Sequence, residues 1–155
     1  MGALFQNGNF WAILGAAIAF IVAGIGSSKG VGIAGQAGAG VLSEDPDKFV
    51  PVMVLEALPS TQAIYGFVIA FLILGKIPAG EPLSFTSGML LLLAGMPVGF
   101  VGLVSAIFQG KVAAAGINMV AKQSGGMVKG VILALMVEMF AILSLIVSML
   151  MIGKV

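Results

Sequence analysis

Apolar residues run along this chain in four long stretches, at about Phe10 to Leu42, Phe49 to Leu74, Phe85 to Val120 and Val128 to Ile152. Each exceeds the roughly 20 residues that an α-helix needs to cross a bilayer. The polar breaks are short: Ser43-Glu44-Asp45-Pro46-Asp47-Lys48, then Lys76 to Pro82 with two prolines, then Lys122 to Lys129 with Gly125-Gly126. Such turn-forming clusters between apolar runs predict an all-α membrane protein with four transmembrane helices. The first and third breaks, with their flanks, hold Lys29, Lys48, Lys111, Lys122 and Lys129, against Lys76 and Lys154 on the other side. Positive charge is retained on the cytoplasmic face, so the loops between helices 1 and 2 and between 3 and 4 are expected inside and both termini outside, in a multi-pass protein of the cell membrane.

The pattern also repeats. Ala63-Ile64 followed by Leu72-x-x-Gly75-Lys76 recurs as Ala141-Ile142 followed by Leu150-x-x-Gly153-Lys154 at a constant step of 78, while the first and third segments repeat less cleanly at about 80. Two tandem hairpins follow, 1–80 and 81–155, both entering the membrane in the same orientation, unlike the inverted repeats of many transporters. Gly26, Gly30, Ala34 and Gly38 in the first helix and Gly102, Ala106, Gly110 and Ala114 in the third recur every fourth residue, which lets helix backbones approach closely. That spacing suits either ordinary packing in one bundle or an inner ring of helices from many copies of the chain, with helices two and four outside it.

Composition narrows the chemistry. With 60% hydrophobic and 8% charged residues, the chain lies outside the range of a soluble domain. A net charge of +1, carried by lysines with no arginine, argues against nucleic acid as a partner. The absence of Cys and His removes disulfides, thiol nucleophiles, imidazole bases and the usual zinc sites. Gly30-x-Gly32-x-x-Gly35 follows no strand and lies in an apolar helical run, and Gly110-Lys111 has neither the upstream glycine nor the hydroxyl of a phosphate loop, so no nucleotide site is expected. Met1 to Asn9 has no basic segment leading into a short apolar one, and no removable signal peptide is expected.

One residue stands against this background. Glu138 lies near the middle of the last apolar run, where a charged carboxylate costs about 2.5–3.5 kcal/mol on insertion scales. A protonated acid hydrogen-bonded between helices would satisfy that cost, and so would a carboxylate made neutral by a proton or a bound cation. In the second helix Leu58, Thr61, Gln62 and Tyr65 stand at i, i+3, i+4 and i+7 and share one face. Thr and Gln side-chain oxygens are hard ligands. Pro59 removes a backbone donor and clashes with the carbonyl of Leu55, distorting the turn beside them. Gln109 in the third helix offers one more amide. Singly, each polar group reads as interhelical hydrogen bonding; together with one carboxylate they suit a monovalent cation such as sodium.

Gln109-Gly110-Lys111-Val112-Ala113-Ala114-Ala115-Gly116, Leu58-Pro59-Ser60-Thr61-Gln62 leading into Ile64-Tyr65-Gly66, and Glu138 ahead of Ala141-Ile142 give the chain its resemblance. It resembles the proteolipid subunit of V-type ATPases, in the duplicated four-helix form, along essentially its whole length. The resemblance implies a homo-oligomeric ring in membrane lipid, turned through a central-stalk subunit by a soluble ATPase. It also implies a stator membrane subunit that bears an essential Arg, a residue this chain lacks. Sodium-translocating members of that family imply a site made by Glu138, Thr61, Gln62, Gln109 and the Leu58 carbonyl, with Tyr65 hydrogen-bonded to the carboxylate. Na+ is the ion expected, with H+ as its competitor for the carboxylate. Ser60, where a small Gly is common, and Met139, where a polar residue can occur, depart from the family pattern.

Glu56, a second acid in an apolar helix, is expected to be an interfacial residue near the cytoplasmic end, paired with a lysine or protonated. A small four-helix cation-coupled secondary transporter would share the length and the deep acid, but it should be a dimer with aromatic groups around that acid. A passive pore should line its first helix with polar residues, and few appear there.

Overall fold

The computed structural model describes residues 2–123 and 125–155. Among them six α-helices follow in order: α1 (Gly2–Gln6), α2 (Gly8–Glu44), α3 (Phe49–Ala57), α4 (Thr61–Gly75), α5 (Phe85–Lys122) and α6 (Gly126–Ile152). Short 3₁₀ turns at Pro46–Lys48 and Leu58–Ser60 join α3 to its neighbours, so Pro46–Gly75 forms a single span. Four spans are long and apolar enough to cross a membrane: α2, Pro46–Gly75, α5 and α6. They contain the four stretches read from the sequence and overrun them by a few residues at most ends, because the polar breaks supply caps. The Asn7 side chain accepts from the Asn9 amide, and the Ser84 hydroxyl accepts from the Ser87 amide.

The two hairpins lie side by side and run the same way. Along α2 and α5 the partner numbers rise together: Gly8 lies against Gly88, Gly15 against Gly95, Gly30 against Gly110. A methyl group added to Gly110 would sit 2.3 Å from the Gly30 carbonyl oxygen, so only a bare backbone permits this approach. The first and third helices, which repeat by sequence at about 80, keep the step of 78 in space. Gly38 meets Val52 in the first hairpin, and Gly116 meets Gly130 in the second.

The interior packs the small residues Ala12, Ala16, Ala19, Ala34, Ala94 and Ala113 with Leu55, Ile69, Ile73, Leu91 and Ile117 in two apolar clusters, while most phenylalanines point out. Phe71 is 68% exposed and Leu150 65%. Water would not tolerate so much outward apolar surface; acyl chains do. At 37 and 38 residues, α2 and α5 span about 55 Å and extend past a hydrocarbon core of about 30 Å.

Each end of the bundle is tied across the hairpins. At one end the Lys48 ammonium donates to the Ala121 carbonyl (2.8 Å), satisfying the C-terminus of α5, and lies 3.3 Å from Asp45. At the other, the Gly8 amide donates to the Leu83 carbonyl and the Leu83 amide to Asn9 Oδ1. Phe5, Phe10, Trp11 and Phe85 stack edge to face near that end, an amphipathic cluster of the kind that sits at a membrane interface.

Candidate functional site

Pro59 opens the site. With no N–H to give, it ends α3 at Ala57 and forces a 3₁₀ turn before α4 resumes at Thr61. The Leu58 carbonyl, which the resemblance implies as a ligand, accepts from the Thr61 amide and from Thr61 Oγ1 at 3.1 Å. The Ala63 amide, whose helical acceptor would be Pro59, donates to Ser27 Oγ of α2 at 2.9 Å. The break is therefore held open from both sides, with the backbone groups beside it given partners.

Three elements converge on it. Tyr65 Oη donates to Glu138 Oε1 at 2.6 Å, and Gln109 Nε2 donates to Glu138 Oε2 at 3.1 Å and to the Ala134 carbonyl at 3.3 Å. Gln62 Nε2 donates to Gln109 Oε1 at 2.7 Å and to Ser105 Oγ at 3.3 Å, while Thr61 Oγ1 lies 3.4 Å from Gln62 Oε1. Ser105 in turn donates to the Val137 carbonyl at 3.0 Å. Gln62 and Gln109 are fully buried, and Glu138 is 5% exposed. Among the described residues, no buried side-chain nitrogen or oxygen lacks a partner.

Glu138, Thr61, Gln62, Gln109, Leu58 and Tyr65 are thus one connected cluster. Its parts come from both hairpins: the α3–α4 break supplies Leu58, Thr61, Gln62 and Tyr65, α5 supplies Gln109, and α6 supplies Glu138. Two hydrogen bonds to a charged acceptor, at about 1.5–3 kcal/mol each, offset an insertion cost of about 2.5–3.5 kcal/mol. The cluster holds one carboxyl group among neutral oxygens, and among the described residues no three His, Cys, Asp or Glu gather to hold a metal.

Two members escape the sequence reading. Ser105 precedes Gln109 by one helical turn, so the i, i+4 spacing on α5 carried the signal for it. Ser27 stands in a run of small residues and reads as packing. Met139, 52% exposed, points out of the cluster, and Ser60 Oγ bonds back to the Ala57 carbonyl. Of the two states expected of Glu56, the lysine pair is not formed: among the described residues the ion pair is Lys48 with Asp45. The Glu56 carboxylate lies on the bare backbone of Gly35 and Gly38.

The repeat is unequal at this point. One step of 78 back from Glu138 and Gln109 stand Ser60 and Val31, which line a groove of about 330 Å³ together with Glu56. The chain therefore holds one such cluster for four spans.

Parallel hairpins of apolar helices around one deep, fully bonded carboxylate define a multi-pass membrane protein with a single buried acid per duplicated unit. Residues 14–73 and 92–151 each match the C-subunit family of ATP synthase, and the chain belongs to that family in duplicated form. From 14 to 92 and from 73 to 151 is the same step of 78. The V-type sodium ATPase subunit K of Enterococcus hirae is 48% identical over 95% of this chain and 94% of its own. The A-type ATP synthase subunit K of Methanocaldococcus jannaschii is 40% identical over 88% of this chain and 59% of its own. The human 16 kDa proteolipid of the V-type proton ATPase is 27% identical over 96% of this chain and 95% of its own.

Proposed function

We propose that this chain is a rotor-ring subunit of a V-type ATPase and that Glu138 carries one sodium ion per copy across the membrane. The observation that carries the reading is the mid-membrane carboxylate of Glu138, bonded by Tyr65 and Gln109 and flanked by the oxygens of Thr61, Gln62 and Leu58. Likeness to a V-type sodium ATPase subunit supports sodium as the ion. In this scheme Thr61 Oγ1 keeps its proton on the Leu58 carbonyl and turns a lone pair to the ion, and Gln62 and Gln109 present free lone pairs of their amide oxygens. One cation then cancels one carboxylate charge, and the neutral pair can face lipid while the bare carboxylate cannot.

Release requires a competing positive charge. An Arg on a stator membrane subunit would displace the ion from Glu138, the ring would step, and torque would come through a central-stalk subunit from ATP hydrolysis elsewhere. Moving one charge against 100 mV takes roughly 2.3 kcal/mol, so one ATP can drive several ions. In this reading 1–80 and 81–155 are the two hairpin repeats, the termini face outward, and the Lys48 and Lys122 ends face the cytoplasm. Parallel hairpins and the scarcity of aromatic groups around the acid count against the secondary-transporter alternative.

Equilibrium binding of radiolabelled sodium to the purified assembly tests the proposal. One ion per chain, abolished by Glu138→Gln, is expected; sodium bound equally by the Glu138→Gln assembly would overturn it.

A further inference from the structure

The oxygen and the NH₂ of a glutamine amide have nearly the same shape, so Gln62 and Gln109 could each fill their places either way round. Which way they lie decides what the cluster can hold. A cation needs the amide oxygens, and an NH₂ turned to the same spot offers it nothing but hydrogens.

Two backbone carbonyls of α6 fix both amides. The Ala134 carbonyl, 3.3 Å from Gln109 Nε2, and the Val137 carbonyl, 3.0 Å from Ser105 Oγ, can only accept. Gln109 therefore points its NH₂ at α6 and its Oε1 back at Gln62. Ser105 gives its single proton to Val137, so toward Gln62 its hydroxyl is an acceptor alone. Gln62 Nε2 then lies between two acceptors, Gln109 Oε1 at 2.7 Å and Ser105 Oγ at 3.3 Å, and commits both hydrogens to them. Gln62 Oε1 is left beside Thr61, whose own proton goes to the Leu58 carbonyl.

We infer that Ser105 is a positioning residue: it relays the polarity of the Val137 carbonyl to Gln62, holds that amide with its oxygen open, and so sets the cluster for sodium rather than for a proton alone. Ser105 is 5% exposed and, among the described residues, bonds neither Glu138 nor Thr61. Gln109 keeps its orientation through Ala134 whether or not Ser105 is present, but Gln62 does not. Without the Ser105 hydroxyl one Nε2 hydrogen is buried with no acceptor, and an amide that turns to find one brings its NH₂ to where the oxygen was. A proton needs no such arrangement, because the carboxylate of Glu138 takes it unaided.

This role rests on the sodium reading proposed above, and two measurements on the purified assembly separate them: sodium affinity, and the sodium-free rate at which a hydrophobic carbodiimide modifies Glu138 across pH. Both are made on Ser105→Ala and on Ser144→Ala, which removes an equally buried hydroxyl whose bond, to the Ala141 carbonyl at 2.7 Å, stays within α6. Ser105→Ala should weaken sodium about three- to tenfold, the order of one lost hydrogen bond, and leave the sodium-free profile where it was. Ser144→Ala should change neither. Sodium affinity that is unchanged in Ser105→Ala, that falls equally in Ser144→Ala, or that falls together with a displaced sodium-free profile would overturn the positioning role and leave the sodium site standing. An unaltered assembly that binds no sodium would overturn both.

Discussion

Tyr65 on α4 and Glu138 on α6 are joined by a hydrogen bond of 2.6 Å, which links the first hairpin to the second across the middle of the membrane. The phenol is the one donor to Glu138 Oε1, and Gln109 the one donor to Oε2, among the described residues. The two hairpins therefore complete a single polar cluster, and neither would hold it alone.

Removing that phenol should loosen the carboxylate without unfolding the bundle. Loss of a bond to a charged acceptor costs about 1.5–3 kcal/mol, so Tyr65→Phe is expected to weaken sodium binding by about tenfold or more. Titration of sodium into the purified variant measures this; an unchanged affinity would mean the bond is absent when the ion is bound.

Thr61 separates a sodium ligand from a packing residue. Thr61→Val keeps the shape and deletes the hydroxyl, so sodium affinity should fall while protonation of Glu138 persists. A variant in which both fall together would indicate collapse of the cluster. Gln62→Leu is expected to be harsher, because it removes the bond to Ser105 Oγ and leaves the buried Gln109 Oε1 without a donor, at a cost of about 1–3 kcal/mol for that unpaired group. Thermal unfolding of the assembly would register it.

Glycines divide by what surrounds them. Gly110→Ala would drive a methyl group to 2.3 Å from the Gly30 carbonyl oxygen, and the two backbones must part. A loss of at least about 1–3 kcal/mol, that of an overpacked core, is expected. Gly40→Ala, with nothing within 4 Å, should stabilise α2 by about 0.5–1 kcal/mol. Midpoints of thermal unfolding that move in the same direction for both would contradict this packing.

Much of this could be seen before the fold was. Four spans were legible because bilayer thickness sets a length that no other feature of the chain mimics, and the turn clusters marked their ends. Glu138 was legible because it is the one charge deep in α6, and Gln62 and Tyr65 because helical spacing puts them on one face. What stayed hidden depends on contacts between elements. That Thr61 folds back on the Leu58 carbonyl could not be read from spacing, and Ser27 gained a role only once the Ala63 amide lost Pro59 as its partner. For Glu56 a lysine partner and a protonated state were both open from sequence; α2 offers it the bare backbone of Gly35 and Gly38, and Lys48, at the nearby end of the bundle, is held by Asp45 and Ala121.

The orientation proposed above rests on lysine placement and is open to labelling, since any introduced cysteine is unique. A cysteine at Gln123 should react with an impermeant reagent only from the cytoplasmic side, and one at Glu81 only from the outside. The opposite pattern would invert the topology.

The most direct measurement is the rate at which a hydrophobic carbodiimide modifies Glu138 in the purified assembly, followed across pH with and without sodium, with Glu138→Gln as the blank. If sodium and the proton compete for one carboxylate, sodium should protect it strongly at high pH and progressively less as pH falls. Modification that follows pH but ignores sodium would make the carboxylate a proton carrier and leave Thr61, Gln62 and Gln109 as packing.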